Sequence, residues 1–113
     1  MESGFRLTSW IADTGVVHIE VDGDLDAATA DQLVNALGIY REPISRCVVD
    51  LSDCDFIDSS GLRALLLCRL RLRQPQNLEL VGLRPQVERA IDVAHMWSVF
   101  DTEPMERVEA RRN

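Results

Sequence analysis

Residues 47–62 read Cys-Val-Val-Asp-Leu-Ser-Asp-Cys-Asp-Phe-Ile-Asp-Ser-Ser-Gly-Leu, and this stretch decides the fold class. The short apolar run at its start, bounded by polar residues, predicts a buried strand over residues 46–51. Ser59 then opens a helix whose apolar positions share one face. Those positions are Leu62, Leu65, Leu66 and Leu70. A buried strand leading into an amphipathic helix indicates an α/β domain.

The rest of the chain repeats this alternation. Strands are predicted at residues 5–11, 15–22, 46–51, 78–81 and 98–101, and the first two form a hairpin that turns near residues 13–15. Helical spacing of apolar residues appears at 30–37, 62–70 and 87–94, and a short charged helix is predicted from Pro104 onward. Strands that alternate with helices form a mostly parallel sheet, to which the hairpin adds antiparallel pairing.

Length and charge restrict the function. The 113 residues fit one domain over residues 1–113, with 46% hydrophobic residues and a formal net charge of -7. Such an acidic chain is not expected to bind nucleic acid or an anionic membrane surface, since both carry negative phosphates. The charge suits a protein partner with a basic face, or it serves only to keep the protein in solution.

The three cysteines show no spacing typical of a metal or redox site, so neither a metal nor a cofactor is expected. Cys47 and Cys68 lie in apolar stretches and are predicted to be buried, whereas Cys54 lies in an acidic loop that can be exposed. Nearby negative charge should raise the pKa of the Cys54 thiol. An odd cysteine count without a signal peptide points to a reducing cytoplasm.

The segment Phe56–Leu62 carries the functional signal. Asp58 or Ser59 is placed to cap the following helix, because a side-chain oxygen there accepts from backbone N–H groups one turn in. Gly61 allows another chain to approach closely. On its own this pattern predicts no more than a helix cap.

The segment resembles the phosphorylatable loop of STAS-domain anti-sigma-factor antagonists. Residues 21–30, Val-Asp-Gly-Asp-Leu-Asp-Ala-Ala-Thr-Ala, resemble that family's entry into its first helix. Residues 47–58 resemble its central strand and loop, and residues 83–91 resemble the opening of its third helix. The matches run in order over roughly residues 16–100. Residues 93–97 lack the small Ser/Thr-Gly pair common in relatives, which leaves the identity of the partner open.

The resemblance implies an α/β, STAS-like fold: a four- to five-stranded mixed sheet with helices packed largely on one side. It implies an antagonist, not an enzyme, that binds an anti-sigma factor which is also a serine kinase of the histidine-kinase-like ATPase fold. Binding releases the sigma factor, phosphorylation of Ser59 ends the binding, and a metal-dependent serine phosphatase resets it. The expected partner surface consists of Asp24, Asp26, Asp58, Ser60, Gly61, Leu62 and Arg63.

The charges near Ser59 agree with such a switch. A phosphoserine carries about -1.5 to -2 charges at neutral pH, and a helix N-terminus with its free N–H groups tolerates them. Acidic residues crowd the site, with Arg63 as the evident counter-charge, so the added charge should act on a docked partner. Asp26 and Asp58 are interpreted as helix caps that also present acidity to that partner.

Three alternatives remain at this point. A serine hydrolase is disfavoured because no G-x-S-x-G elbow occurs. An acyl carrier protein also has a modified serine after aspartate, but it is all-helical, whereas residues 16–22 alternate as a strand. The third alternative is a STAS domain that acts without phosphorylation, as an interaction module or a sensor of a small ligand.

Overall fold

A computed structural model describes residues 4–13 and 15–100. The strands are β1 (Arg6–Asp13), β2 (Val16–Asp22), β3 (Arg46–Asp53) and β4 (Leu78–Val81). The helices are α1 (Ala30–Gly38), α2 (Ser59–Cys68) and α3 (Pro85–Val93). Single turns of 3-10 helix occur at Arg69–Arg71, Pro75–Asn77 and Trp97–Val99.

The four strands form one mixed sheet in the order β1-β2-β3-β4. The hairpin pair β1 and β2 is antiparallel, whereas β2 with β3 and β3 with β4 are parallel. Right-handed crossovers that progress in one direction along a sheet place their helices on the same face. The predicted α/β fold with a mixed sheet of four to five strands is confirmed, and the sheet has four strands accompanied by three helices.

The core lies between the sheet and the helices. Alternate residues of β2 point inward, and Val17, Ile19 and Val21 are at most 2% exposed. The helices contribute leucines and an isoleucine that are fully buried, each worth about 1.5–3 kcal/mol in transfer free energy. These helix residues are Leu33, Leu37, Leu65 and Ile91. The apolar pattern read from the sequence corresponds to the core except at the end of α2: Leu66 is 40% exposed and Leu70 is 76% exposed. Leu70 lies in the 3-10 turn that follows α2, where the spacing of an α-helix no longer applies.

The predicted fifth strand at residues 98–101 is wrong in its described part. Trp97–Val99 is a 3-10 turn, in which the Val99 N–H donates to the Met96 carbonyl at 3.0 Å. Backbone groups that bond within their own turn are not free to pair with β4. Phe100 follows and is buried in the core. Asp101 and the helix predicted from Pro104 lie outside the described residues.

Candidate functional site

Loops from three neighbouring strands meet at one edge of the sheet, because β2, β3 and β4 run parallel and end on the same side. The Gly23 N–H donates to the Asp53 carbonyl at 3.0 Å. The Leu25 N–H donates to the Phe56 carbonyl at 3.0 Å, and the Leu25 carbonyl accepts from the Asp58 N–H at 3.2 Å. These bonds hold the β2–α1 loop against the β3–α2 loop.

Asp58 is the N-cap of α2. Its Oδ1 accepts from the backbone N–H groups of Ser60 at 2.8 Å and Gly61 at 3.1 Å. Of the two candidate caps, Asp58 rather than Ser59 makes the capping bonds, which typically contribute about 1 kcal/mol. Ser59 is the first helical residue and is exposed, and within residues 4–13 and 15–100 its hydroxyl has no hydrogen-bond partner. The cap therefore fixes the backbone at Ser59, and the Ser59 side chain is open to solvent.

Gly61 lies where α2 presses against the β2–α1 loop, and it is buried. A Cβ atom at this position would lie 2.4 Å from the Leu25 carbonyl oxygen and 2.6 Å from Cγ1 of Ile57. Leu25 and Ile57 also form an isolated parallel bridge beneath the helix. The close approach expected of another chain at Gly61 is made instead by Leu25 of the same chain, and it buries Gly61.

Asp26 caps a turn that precedes α1. Its Oδ1 accepts from the Ala28 N–H at 2.9 Å, and its own N–H donates to Thr29 Oγ1 at 3.1 Å. The Thr29 hydroxyl donates to the Asp24 carbonyl at 2.6 Å. The interpretation of Asp26 as the cap of the first helix is wrong: the N-cap is Thr29, whose side chain makes no capping bond. The turn keeps the Asp26 carboxylate half-buried at the edge.

Arg84 is the counter-charge to Asp53 and Asp55, and it was not among the residues predicted from the sequence. Its Nε donates to the Ser52 carbonyl at 2.6 Å, and its guanidinium pairs with Asp55 and lies 3.7 Å from Asp53. Arg63, the counter-charge expected from sequence, is exposed and lies beside Ser60 in a groove between α1 and α2. Arg84 follows β4, and residues that follow neighbouring parallel strands meet at the same edge of a sheet. A predicted parallel pairing of β3 with β4 would therefore have placed Arg84 near the loop after β3.

The predicted partner residues divide into two groups. Asp24 and Arg63 are exposed, and Asp26, Asp58 and Ser60 are partly exposed around the N-terminus of α2. Gly61 and Leu62 are buried, and Leu62 is 8% exposed. The structure therefore brings the predicted residues together at one edge, with two of them beneath the surface.

Cys54 is fully buried, so the expectation that its loop position could expose it is wrong. Its thiol donates to the Phe56 carbonyl at 3.3 Å. Burial raises the pKa of the Cys54 thiol most strongly, backbone hydrogen bonds at Leu25 and Phe56 partly lower it, and the charges of Asp24 and Asp55 raise it by a smaller amount. The predicted direction holds, although burial and not the acidic neighbours is the main cause. Cys47 and Cys68 are buried as predicted, and burial raises the pKa of each to about 12.

We expect all three cysteines to be unreactive in the folded protein. A thiol with a raised pKa presents little thiolate, so iodoacetamide at pH 8 should alkylate the native chain about 100-fold more slowly than the unfolded chain. Mass spectrometry of timed aliquots, with guanidinium-unfolded protein as the control, measures both rates. Rapid alkylation of Cys54 in the native protein would contradict this. So would a reversible loss of partner binding on oxidation that Cys54→Ser abolishes.

In the described part of the chain, no group of three or more His, Cys, Asp or Glu side chains is arranged to hold a metal ion. Over the same residues, no helix is both long and apolar enough to span a membrane.

Comparison with known proteins identifies the family. The family model described as "Mlab, STAS domain" matches residues 12–98, which is most of the chain. This protein belongs to the STAS-domain family of anti-sigma-factor antagonists. The family is regulatory, and on that ground the prediction that the chain is not an enzyme is confirmed.

Individual relatives carry that description. The putative anti-sigma factor antagonist BtrV of Bordetella bronchiseptica is 37% identical over 88 residues, covering 76% of each chain. The anti-sigma-B factor antagonist of Listeria monocytogenes is 29% identical over 96 residues, covering 83% of this chain and 84% of its own. The crystal structure of an anti-sigma factor antagonist from Mycobacterium paratuberculosis superposes with a TM-score of 0.71 at 27% identity, covering 96% of both chains.

Proposed function

We propose that this chain is an anti-sigma-factor antagonist whose unphosphorylated form binds an anti-sigma factor and thereby releases a sigma factor. The names of its curated relatives support this role. We propose Ser59 as the residue whose phosphorylation ends the binding. The observation that carries this assignment is an exposed Ser59 at the N-terminus of α2, beside a capping Asp58 that fixes the backbone around it.

The state of the backbone N–H donors around Ser59 supports the proposal that a phosphate on this residue acts on partner binding and not on the stability of the fold. Asp58 Oδ1 already accepts from the Ser60 and Gly61 N–H groups, and the Leu62 N–H donates to the Asp58 carbonyl at 2.9 Å. The free N–H groups expected from sequence are therefore largely occupied. A phosphate on Ser59 would interact favourably with the helix dipole but would accept few hydrogen bonds from the backbone. It would also lie near the Asp58 carboxylate.

The acidic edge supports a basic partner surface. Asp58 precedes Ser59, and Asp24 and Asp26 flank Leu25, whose hydrogen bonds hold its loop against the loop that leads to Ser59. Complementary charge speeds encounter and fixes orientation, and a phosphate's added charge changes that balance locally. Asp24, Asp26, Asp58, Ser60 and Arg63 are proposed to touch the partner. Gly61 and Leu62 are proposed to hold these residues in place from beneath.

The remaining components follow the family resemblance and stay proposals. The anti-sigma factor would itself be the serine kinase, with a histidine-kinase-like ATPase fold. A metal-dependent serine phosphatase would restore the active form, and the cycle would operate in the cytoplasm. The competing proposal is a STAS module that binds a partner or small ligand without phosphorylation.

Incubation of the purified chain with its anti-sigma factor kinase and Mg-ATP tests the assignment. We expect one phosphate, located on Ser59 by tandem mass spectrometry, because Ser59 is exposed and Ser60 is partly covered. Ser60→Ala should still be phosphorylated, whereas Ser59→Ala should not. Phosphate on Ser60 would show the residue assignment to be wrong. A stable complex without any phosphorylation would favour the competing module.

A further inference from the structure

One arginine holds the start of the β3–α2 loop, residues 54–58. Arg84 is the N-cap residue of α3, and its side chain reaches back to the end of β3. Its Nε donates to the Ser52 carbonyl at 2.6 Å, while its guanidinium pairs with Asp55 and lies 3.7 Å from Asp53. The planar guanidinium joins all three groups, a geometry that the point charge of a lysine does not reproduce.

The backbone that carries this arginine is fixed on both sides. The Arg84 carbonyl accepts from the Val87 and Glu88 N–H groups, each at 2.9 Å, in the first turn of α3. Gly82 precedes it with a φ of +69° and packs on β3, so that a Cβ atom there would lie 2.8 Å from Cβ of Ser52. Arg84 therefore holds the β3–α2 loop from a rigid support.

The β3–α2 loop leads directly to Ser59. Its Phe56 carbonyl accepts from the buried Cys54 thiol at 3.3 Å and from the Leu25 N–H at 3.0 Å. Two residues later, Asp58 caps α2 and fixes the backbone at Ser59. A displacement at the start of the loop would therefore uncover the thiol and move the capped start of α2.

We propose that Arg84 is a positioning residue, whose bonds to Ser52, Asp53 and Asp55 form a clasp that keeps Ser59 where a partner meets it. The role toward a partner rests on the proposed function, whereas the clasp itself does not. The side chains of Arg84, Asp53 and Asp55 are 41%, 69% and 61% exposed, and such surface ion pairs contribute little to global stability. The clasp therefore controls local opening of the loop and not unfolding of the domain.

Alkylation of the cysteines in the purified chain tests the clasp without any partner. With iodoacetamide at pH 8, Arg84→Gln should raise the rate at Cys54 about tenfold over the wild type, because the loop opens more often. Cys47 in β3 and Cys68 in α2 report unfolding of the domain and should stay as slow as in the wild type. Loss of a positive charge does not lower the pKa of a thiol, so a faster reaction reports opening.

Arg41→Gln is the matched control. Arg41 is exposed, lies in the connection that precedes β3, and forms no ion pair with any residue that the structure describes. Its replacement should leave the Cys54 rate unchanged. Arg84→Lys keeps the charge without the fork, so it should raise the Cys54 rate by a smaller factor, and it decides the question if Arg84→Gln does not fold. Hydrogen exchange of the Asp58 N–H, which donates to the Leu25 carbonyl at 3.2 Å, should be faster in both Arg84 variants.

Phosphorylation by the anti-sigma factor kinase tests the positioning role. Arg84→Gln should lower kcat/KM at Ser59 about three- to tenfold, because the hydroxyl is no longer held in one place, whereas Arg41→Gln should match the wild type. A wild-type rate at Cys54 in Arg84→Gln, or equal acceleration of all three cysteines, would overturn the clasp. If Cys54 alone accelerates and kcat/KM is unchanged, the positioning role is overturned. If the wild type is not phosphorylated, the proposed function and the positioning role fail together, and the cysteine rates still decide the clasp.

Discussion

Replacement of Gly61 by alanine is expected to destabilise the domain by about 3 kcal/mol or more, the upper range for overpacking a core. The added Cβ would lie 2.4 Å from the Leu25 carbonyl oxygen, so α2 or the β2–α1 loop must shift. That carbonyl also accepts from the Asp58 N–H, which means that the shift would disturb the capped end of α2. Because this end carries Ser59, partner affinity should fall together with stability.

Thermal unfolding followed by circular dichroism measures the effect, with an expected decrease in the melting temperature of about 10 °C or more. Gly38→Ala is the matched control. Gly38 lies at the end of α1 with no atom within 4 Å of a built Cβ, so alanine there should be neutral or slightly stabilising. A Gly61→Ala variant that melts within about 2 °C of the wild type would show that the Leu25 contact is not tight.

The second large effect is expected at Ser59. Ser59→Glu should weaken binding to the anti-sigma factor about 10- to 100-fold, equivalent to about 1.4–2.8 kcal/mol, whereas Ser59→Ala should bind like the wild type. A kinase that phosphorylates Ser59 must hold its nucleotide phosphates next to that hydroxyl, and those phosphates would repel the carboxylate of the glutamate. Both variants should keep wild-type stability, because the Ser59 side chain is exposed and Asp58 still caps α2.

Surface plasmon resonance at two ionic strengths measures this difference. The penalty of Ser59→Glu should shrink at high salt, because screening weakens repulsion between partly exposed charges. Gln76→Glu adds the same charge at an exposed position between α2 and β4, away from the acidic edge, and should leave affinity unchanged. Equal affinity of the Ala and Glu variants at Ser59 would refute the charge switch.

The predictions from sequence that are confirmed were those based on local patterns of residues. The alternation at Val17, Ile19 and Val21 predicted a strand with one buried face, and that face is buried. The polar residues ahead of Leu62 predicted a helix start, and Asp58 caps it. Such features depend on residues only a few positions apart, so they can be predicted from the spacing of residues along the chain. The order of motifs was enough to indicate the family.

The failed predictions share one cause. Cys54 looked exposed because its neighbours are acidic, yet packing of the loops against the sheet buries its side chain. The residues at 97–99 looked like a strand, yet they close into a 3-10 turn that delivers Phe100 to the core. A short segment has little intrinsic preference, so its tertiary surroundings decide its conformation.

Spacing along the chain was enough to predict the strands and helices up to α3, the polar start of α2 and the place of Ser59 within it. What surrounds that serine depends on how the loops and helices pack. Arg84 lies 29 residues from Asp55 along the chain, and Leu25 lies far from Gly61, yet each pair is in contact. A groove beside Ser59 likewise forms only because residues of the β3–α2 loop, α2 and α3 lie around one space. Contacts of this kind depend on strand order and helix placement, which spacing along the chain does not record.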